Sequence, residues 1–325
     1  MKLSRRYFLH LAAGAAALPA LSRVARAQAY PSKPVRIVVG FAAGTGADII
    51  ARLMGQWLAE RLGQSVIIEN RPGAGTNIAT EAVVRSPPDG HTLLAVTPAN
   101  AINATLYDKL NVNFLRDIAP VGGVMRTPNV MVVNSSVPAK SVPEFIAYAK
   151  ARPGQLSMAS GGNGSGTHMT GELFKMMAAV DMVHVPYRGG ASALTDLIAG
   201  QVQVMFPGTA VSIEHIKAGK VRALAMTSAV RSELLPDLPT VSDFVPGYEA
   251  SLIDGIGAPR NTPPEIIDRI NKEINAGLAD PNFKARIAGF GGMALVGTPA
   301  DFGKLMAEET EKWGKVVKFA AMKPE

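Results

Sequence analysis

The sequence predicts an α/β fold with two domains, because strand and helix patterns alternate along a chain that is long enough for two cores. The chain has 325 residues, of which 47% are hydrophobic. A β-rich run at 35–39, the glycine loop 40–46 and apolar residues at helical spacing from 49 to 58 indicate a strand, a loop and a helix. The same pattern returns, more weakly, at 156–174. Alternation of this kind is typical of a parallel sheet with helices on both faces.

Charge and composition exclude several functional classes. The formal net charge is +7, but residues 1–27 carry five basic side chains and no acid, so the rest of the chain is close to neutral. The chain therefore offers no global basic character of the kind that nucleic-acid binding requires. It has no cysteine, which excludes disulfides, thiolate catalysis, iron–sulfur clusters and cysteine-based zinc sites.

The first 27 residues have the composition of an export signal. A basic start precedes an apolar run at 9–21 that is too short to span a bilayer. Ala25-Arg26-Ala27 suits a cleavage site, and Ala27-Gln28-Ala29 suits one as well. The stretch 4–9 resembles a twin-arginine signal, and the alternative is an ordinary secretory signal with a chance pair of arginines. Either route predicts the removal of 1–27 and a periplasmic location.

The first domain continues the alternation of strands and helices. Ligands of open α/β sheets bind beyond the carboxyl ends of the strands. The loops 41–46 and 97–100, which follow two of these strands, are therefore predicted to lie at one edge of the sheet. The predicted strands are 35–39, 65–69 and 92–96, and a short helix is predicted at 78–84.

The middle of the chain carries a second set of elements. A break at Thr127-Pro128 separates two strands, and the glycine-rich loop 160–167 leads into a helix at 168–177. A late strand at 252–256 precedes two terminal helices, which are predicted to return and cover the first domain. The strands predicted in the middle set are 118–124, 130–133, 156–159, 183–185, 202–206 and 221–226.

Neither glycine loop matches a nucleotide-binding motif. The loop 40–46 lacks the lysine of a P-loop, and neither loop gives G-x-G-x-x-G between a strand and a helix. No G-x-S-x-G elbow or H-E-x-x-H motif is present, and the four histidines after residue 27 are far apart in the sequence. We therefore predict no cofactor, no metal and no catalytic residue.

Both loops are suited to binding a carboxylate through the main chain. A helix start presents N–H donors and the positive end of the helix dipole. A hydrogen bond to a charged group contributes about 1.5–3 kcal/mol, whereas micromolar affinity needs about 8 kcal/mol. Because one loop would hardly reach that value, the sequence predicts that the two loops face each other across a cleft and close on the ligand by a hinge.

Several of these residues have an alternative interpretation. Glycine loops between strands and helices are often only tight turns, and Asp48 is suited to complementing the dipole of its own helix. His168 is as well suited to capping its helix as to contacting a ligand. Tyr187 fits a position over the cleft or in the hinge, and the helical spacing of Trp57 and Trp313 favours core packing.

Short motifs, each weak alone, form a specific set along the chain. They include Tyr30-Pro31-Ser32-Lys33-Pro34, Gly44-x-Gly46-x-Asp48, Asn70-Arg71-Pro72-Gly73-Ala74-Gly75, Ala159-Ser160-x-Gly162-Asn163-Gly164 with Thr167-His168, His184-Val185-Pro186-Tyr187 and Leu235-Pro236-Asp237-Leu238-Pro239-Thr240-Val241. The set resembles the Bug family, the periplasmic receptors of tripartite tricarboxylate transporters. The likeness covers essentially all of the chain after the export segment.

The resemblance implies a periplasmic-binding-protein-like fold of type II, with two lobes and a hinge of two crossover segments. We place lobe 1 at 28–126 plus 251–325 and lobe 2 at 127–250. One small organic carboxylate would be held by the loops of both lobes. The implied ligand-binding residues are Phe41, Thr45, Gly46 and Asp48 on one side, Ser160, Asn163, Gly164, Thr167 and His168 on the other, and Tyr187 nearby. Thr97, from the loop 97–100 at the same sheet edge, is also predicted to bind the ligand.

The sequence departs from the family pattern at two places. Ala42-Ala43 and Thr45 stand where the family commonly has two prolines and a second glycine. Pro207 follows the predicted strand 202–206 and removes a backbone donor. The second departure affects contacts to the distal end of the ligand and not the carboxylate site.

The predicted function is a non-catalytic periplasmic receptor for a small organic carboxylate, acting in tripartite tricarboxylate-type uptake or in sensing. The expected partners are a transporter membrane subunit or a sensor kinase, without nucleic acid, and the expected state is a monomer. One alternative is an exported hydrolase with a Ser/His/Asp site assembled in space, which turnover would reveal. Another is a structural protein, which would bind none of a panel of carboxylates.

Overall fold

The computed structural model describes residues 30–324, and the predicted export segment 1–27 lies outside the described residues. Strands and helices alternate through this range, which confirms the α/β class. None of its helices is both long and apolar enough to cross a membrane. The strands are β1 Val35–Val39, β2 Val66–Asn70, β3 Thr92–Val96, β4 Ile118–Pro128, β5 Val130–Asn134, β6 Ser157–Ser160, β7 Val183–Pro186, β8 Val204–Met205, β9 Val221–Met226, β10 Ser251–Pro259 and β11 Met293–Ala294. The helices are α1 Gly46–Leu62, α2 Asn77–Val84, α3 Pro98–Leu106, α4 Phe114–Asp117, α5 Val142–Lys150, α6 Gly166–Ala178, α7 Gly190–Ile198, α8 Thr209–Lys217, α9 Pro264–Ala279, α10 Pro281–Gly289 and α11 Pro299–Phe319.

One sheet has six strands in the order β11-β4-β10-β3-β1-β2. β1 pairs in parallel with β2 and β3, as expected for strands joined through helices. β10 runs antiparallel between β3 and β4. The prediction of a parallel sheet is therefore confirmed for β1, β2 and β3 but wrong for β10, because β10 enters this sheet from the second one and not through a helical crossover beside β3.

The other sheet has five strands in the order β7-β6-β8-β5-β9 and is also mixed. β6 is parallel to β7 and β8, whereas β5 is antiparallel to β8 and β9. A single residue, Asn129, separates β4 from β5. The break predicted at Thr127-Pro128 lies inside β4, because these two residues pair with Leu252 and Ser251 of β10.

The chain passes from the first sheet to the second at residue 129 and returns at residue 250, and hydrogen bonds join the two crossings. The Asn129 N–H donates to Thr227 Oγ1 at 2.8 Å, and the Thr227 N–H donates to the Asn129 carbonyl oxygen at 2.9 Å. The Ala250 N–H donates to the Thr227 carbonyl oxygen at 2.9 Å, and Thr227 Oγ1 lies 2.8 Å from the Ala250 carbonyl oxygen. Residues 129, 227 and 250 thus form one bonded unit between the sheets.

The terminal helices pack on the six-stranded sheet, in agreement with the prediction. α9 contacts α1 and β4, and α11 contacts α3 and β4. α11 begins with a capping box, in which the Thr298 N–H donates to Asp301 Oδ2 at 2.9 Å and the Asp301 N–H donates to Thr298 Oγ1 at 3.1 Å. α11 also contacts α6, so its buried Trp313 lies in an apolar core that continues from Leu94 of one sheet to Phe206 beside the other.

The prediction of a loop at 97–100 is wrong, because helix α3 begins at Pro98. The Thr97 N–H donates to Asn100 Oδ1 at 2.8 Å, which caps the helix. A proline at the first helical position loses nothing, since its missing N–H would have no intrahelical acceptor. The proline that favoured a loop in the sequence is therefore a helix-start residue.

Candidate ligand-binding site

A cavity of about 440 Å³ lies where elements of the two sheets meet. Its wall combines residues that follow β1 and β3, residues at the starts of α6 and α8, and strands β4 and β10. Cavities of this size hold small organic molecules. The lining residues are Phe41, Gly46, Ala47, Ile50, Thr97, Pro98, Ala99, Ile102, Met125, Thr127, Gly164, Ser165, Gly166, Ala210, Val211, Leu252, Asp254, Gly289 and Phe290.

Four helices begin at this cavity. α1, α3, α6 and α8 each contribute residues of their first turn or the residue before it. The first turn of a helix has N–H groups without intrahelical acceptors and carries the positive end of the helix dipole. The described lining has no lysine, arginine or histidine. Any donors that this lining offers to an anion would therefore come from the main chain or from hydroxyl groups and not from basic side chains.

The loop before α1 is shaped by Asp48, which is buried behind it. Asp48 Oδ2 accepts from the Gly44 N–H at 2.8 Å and from Arg52 Nε at 2.9 Å, and Asp48 Oδ1 accepts from Asn70 Nδ2 at 2.8 Å. Asn70 Nδ2 also donates to the Phe41 carbonyl oxygen at 3.0 Å. The hydrogen bond from Arg52, followed by those from Gly44 and Asn70, lowers the pKa of Asp48 to about 2 despite its burial. Asp48 thus holds the loop from within as an anion.

Asp48→Ala is expected to lower the free energy of unfolding by about 1–2 kcal/mol, because three donors lose their acceptor while Gly44 and Arg52 can turn to water. Urea unfolding at neutral pH measures the change. Glu311→Ala is the control, since Glu311 pairs with Lys315 on the exposed face of α11 and should cost less than about 0.5 kcal/mol. Equal losses for both variants would show that Asp48 does not organise the loop.

The loop before α6 is also held by its own polar side chains. Ser165 caps the helix, with its Oγ accepting from the His168 N–H at 3.3 Å. Thr167 Oγ1 accepts from the Gly161 N–H at 2.8 Å, and His168 Nδ1 accepts from the Gly164 N–H at 3.1 Å. Gly166 is close to β10, where an added Cβ would lie 2.6 Å from the Leu252 side chain. The glycine at the start of α6 therefore allows this loop to pack closely against Leu252 of the first sheet.

Behind this loop lies a cluster of two histidines and a carboxylate, in which His168 and Glu172 are buried and His184 is half-buried. The rings of His168 and His184 stack with centroids 3.6 Å apart, and Glu172 contacts both His168 (3.5 Å) and Lys175 (2.9 Å). Burial and the neighbouring His168 lower the pKa of His184 to about 4. His184 Nε2 lies 2.6 Å from Ser160 Oγ, and Ser160 has no exposed surface.

The structure brings four of the predicted ligand-binding residues together in the cavity lining: Phe41, Gly46, Thr97 and Gly164. Asn163 and His168 line a different cavity of about 660 Å³, beside Glu172, Lys175 and residues 319–323. The remaining predicted residues line neither cavity. They are Thr45 and Asp48 in the first loop, Ser160 and Thr167 in the second, and Tyr187, whose hydroxyl donates to Asp196 Oδ2 at 2.8 Å.

Sequence reasoning missed the part of the lining that comes from strands and from later helices. Met125, Thr127, Leu252 and Asp254 come from the paired strands β4 and β10. Asp254 is the one ionisable residue of the described lining, and burial raises its pKa to about 7. The sequence signal that could have identified Asp254 is its position, because it is an acidic residue inside the predicted apolar strand 252–256.

Asp254→Asn is expected to be more stable than the wild type at pH 9 but not at pH 5. The pKa of Asp254 is about 7 in the folded protein, against about 3.9 in an unfolded chain. The folded wild type therefore binds more protons between these values and loses stability as the pH rises through 7. The difference in the free energy of unfolding between Asp254→Asn and the wild type should change by about 1–3 kcal/mol between pH 5 and pH 9. Urea unfolding at the two pH values measures this change. A difference that is independent of pH would contradict the raised pKa.

Two mixed sheets with a cavity between them are the architecture of periplasmic solute-binding proteins. The sequence model of the family described as tripartite tricarboxylate transporter family receptor matches residues 50–322. The chain therefore belongs to this family. This confirms the resemblance inferred from the motifs.

Three solved structures are similar to this chain over almost their whole length. Rpa4515 of R. palustris, with adipate, is 36% identical over 91% of this chain and 100% of its own, with a TM-score of 0.75. The periplasmic binding protein BugD is 32% identical over 91% of this chain and 100% of its own, with a TM-score of 0.72. MatC of Rhodopseudomonas palustris, with bound malate, is 30% identical over 89% of this chain and 100% of its own, with a TM-score of 0.72.

Proposed function

We propose that this protein is a periplasmic receptor that captures a small organic carboxylate in the cavity between the two sheets. The observation that carries the proposal is the convergence of four helix starts on a cavity whose described lining has no basic side chain. Main-chain N–H groups at the starts of these helices, which pack beside both sheets, would supply the donors for the carboxylate. Similar proteins with adipate and malate support this ligand class.

The proposal includes two lobes, 28–126 plus 251–325 and 127–250, which close on the ligand. The bonded unit of residues 129, 227 and 250 would be the hinge, because both crossings between the sheets pass through it. Small-angle scattering tests the closure. Compaction on addition of a ligand supports it, and an identical radius of gyration with saturating ligand would contradict it.

The proposed location and partners are supported by the composition of the export segment and by the family. Residues 1–27 would direct the chain to the periplasm, with the twin-arginine route favoured. A captured carboxylate would then be passed, by a monomeric receptor, to the membrane subunit of a tripartite tricarboxylate transporter or reported to a sensor kinase.

A thermal-shift panel tests the proposed function. The mature protein is heated with straight-chain mono- and dicarboxylic acids of three to eight carbons, with short hydroxy and amino acids, and with the primary amide of each acid. A ligand at 100 times its Kd stabilises by about 2.7 kcal/mol, which raises the melting temperature by a few degrees. Stabilisation by acids and not by their amides supports the proposal. Equal stabilisation by both, or none by any acid, would contradict it.

The hydrolase alternative has one feature in its favour, the hydrogen bond between Ser160 Oγ and His184 Nε2. A nucleophile must be reachable by its substrate, but Ser160 is fully buried and does not line the cavity. Glu172 contacts the other histidine, His168. The pair therefore fits a structural role, and product formation from an ester panel would be needed to revive the alternative.

A further inference from the structure

Asp254 lies in the wall of the cavity, on the same side of β10 as Leu252. Side chains two residues apart on a strand point to the same face, and both residues line the cavity while Ile253 between them is buried. Across the antiparallel pairing, Asp254 is opposite Met125 and Leu252 is opposite Thr127 of β4. The carboxyl group is therefore fixed by the centre of the six-stranded sheet and not by a loop.

No basic residue stands beside this carboxyl group. The other residues of the described lining are apolar, glycine, serine or threonine. Within residues 30–324, no ion pair or side-chain hydrogen bond involves Asp254. Asp48 and Glu172, by contrast, each form an ion pair with a basic residue of their own helix, Arg52 and Lys175 respectively. A half-buried carboxyl group without a neighbouring cation favours a hydrogen-bond donor and disfavours a second carboxylate.

We propose that Asp254 selects carboxylate ligands whose distal end carries a hydrogen-bond donor, which is a hydroxyl or an ammonium group. Asp254 would reject a ligand with a second carboxylate at that end. This inference rests on the proposed function. The ligand carboxylate lies against the helix starts, where the main chain supplies the donors. The distal end then faces β10, where Asp254 accepts a hydrogen bond. A site that presents an acceptor to the ligand discriminates strongly against an analogue that cannot donate, because the acceptor loses its partner.

This selectivity separates the chain from Rpa4515 and MatC, the two similar proteins described above with bound ligands. Adipate and malate each carry two carboxylates, and the second would lie beside another acid in a cavity without a cation. Two like charges at short distance in a partly desolvated site repel strongly. The main-chain end of the site would bind the first carboxylate in the same way whatever the distal group is.

The test compares two matched series by calorimetry at pH 8. The six-carbon series is adipate, 6-hydroxyhexanoate and 6-aminohexanoate, and the four-carbon series is succinate, 4-hydroxybutanoate and 4-aminobutanoate. The wild type should bind the hydroxy or the amino member of at least one series at least tenfold more tightly than its dicarboxylate. D254N, which keeps the size and removes the charge, should reduce that preference at least tenfold. D237N is the control for charge loss, because Asp237 is exposed and does not line the cavity.

Each result decides the question. A preference for the hydroxy member identifies a neutral donor, and a preference for the amino member identifies a cationic one. A wild type that prefers the dicarboxylates, or a D254N variant that keeps the wild-type order, overturns the inference and leaves the proposed function intact. The same holds if the wild type binds other acids of the thermal-shift panel but none of these six. If it binds no acid at all, the proposed function fails and the inference fails with it.

Discussion

Replacing Trp313 by alanine is expected to lower the free energy of unfolding by about 3–5 kcal/mol, as for other fully buried aromatic side chains. Trp313 has no exposed surface. It lies on α11, which contacts α3 and β4 of the six-stranded sheet and α6 beside the five-stranded sheet. Removal of the indole would leave a cavity in a core shared by both sheets, and it would remove apolar contacts that surrounding residues cannot fully replace.

Urea unfolding of the mature protein measures this loss. The control is Phe319→Ala on the same helix, because half of the Phe319 side chain is exposed and its removal should cost less than about 1 kcal/mol. Trp313→Phe should fall between the two, because it keeps most of the apolar volume. If Trp313→Ala destabilises no more than Phe319→Ala, α11 is not the shared support that we describe.

Gly46→Trp is expected to weaken binding of any ligand in the cavity by at least about 100-fold, or about 2.7 kcal/mol, without unfolding the protein. Gly46 lines the cavity at the first position of α1, and an added Cβ there would meet no atom within 4 Å. The indole would therefore occupy space that the ligand needs and would not clash with the core.

Calorimetry with the acid that gives the largest thermal shift tests this prediction. Gly46→Ala is the matched control, since it adds only the Cβ and should keep affinity within about threefold, a change of about 0.7 kcal/mol. Both variants should melt within a few degrees of the wild type in the absence of ligand. Wild-type affinity in a folded Gly46→Trp variant would place the binding site elsewhere.

Local patterns were enough to predict most elements of the fold. β1, the glycine loop and α1 are encoded by neighbouring residues, and so are the capping sequences that start α5 and α11. The direction of β10 was not predictable in this way, because it depends on where the chain returns from the other sheet. α3 was missed because Pro98 has the same sequence signal in a loop and at a helix start.

The candidate site was predictable where the ends of strands define it. Phe41, Gly46, Thr97 and Gly164 follow strands or precede helices, and all of them line the cavity. Thr167 and His168 carry the same signal, a polar residue at a helix start, but their side chains accept hydrogen bonds from their own loop. Asp254 could not be assigned from the sequence, because the face of β10 that meets the cavity is decided by its pairing with β4.

Anchoring a ligand by helix starts has a consequence for how such receptors diversify. An arginine that binds a carboxylate can be lost through a single codon change, whereas an amide belongs to every residue except proline. In the proposed site, substitutions at side chains such as Thr127 or Asp254 would therefore alter which molecule is accepted and leave its acidic group bound as before. The same scaffold would then bind different acids, with the shared carboxylate bound by the backbone and the variable part contacted by a few exchangeable side chains.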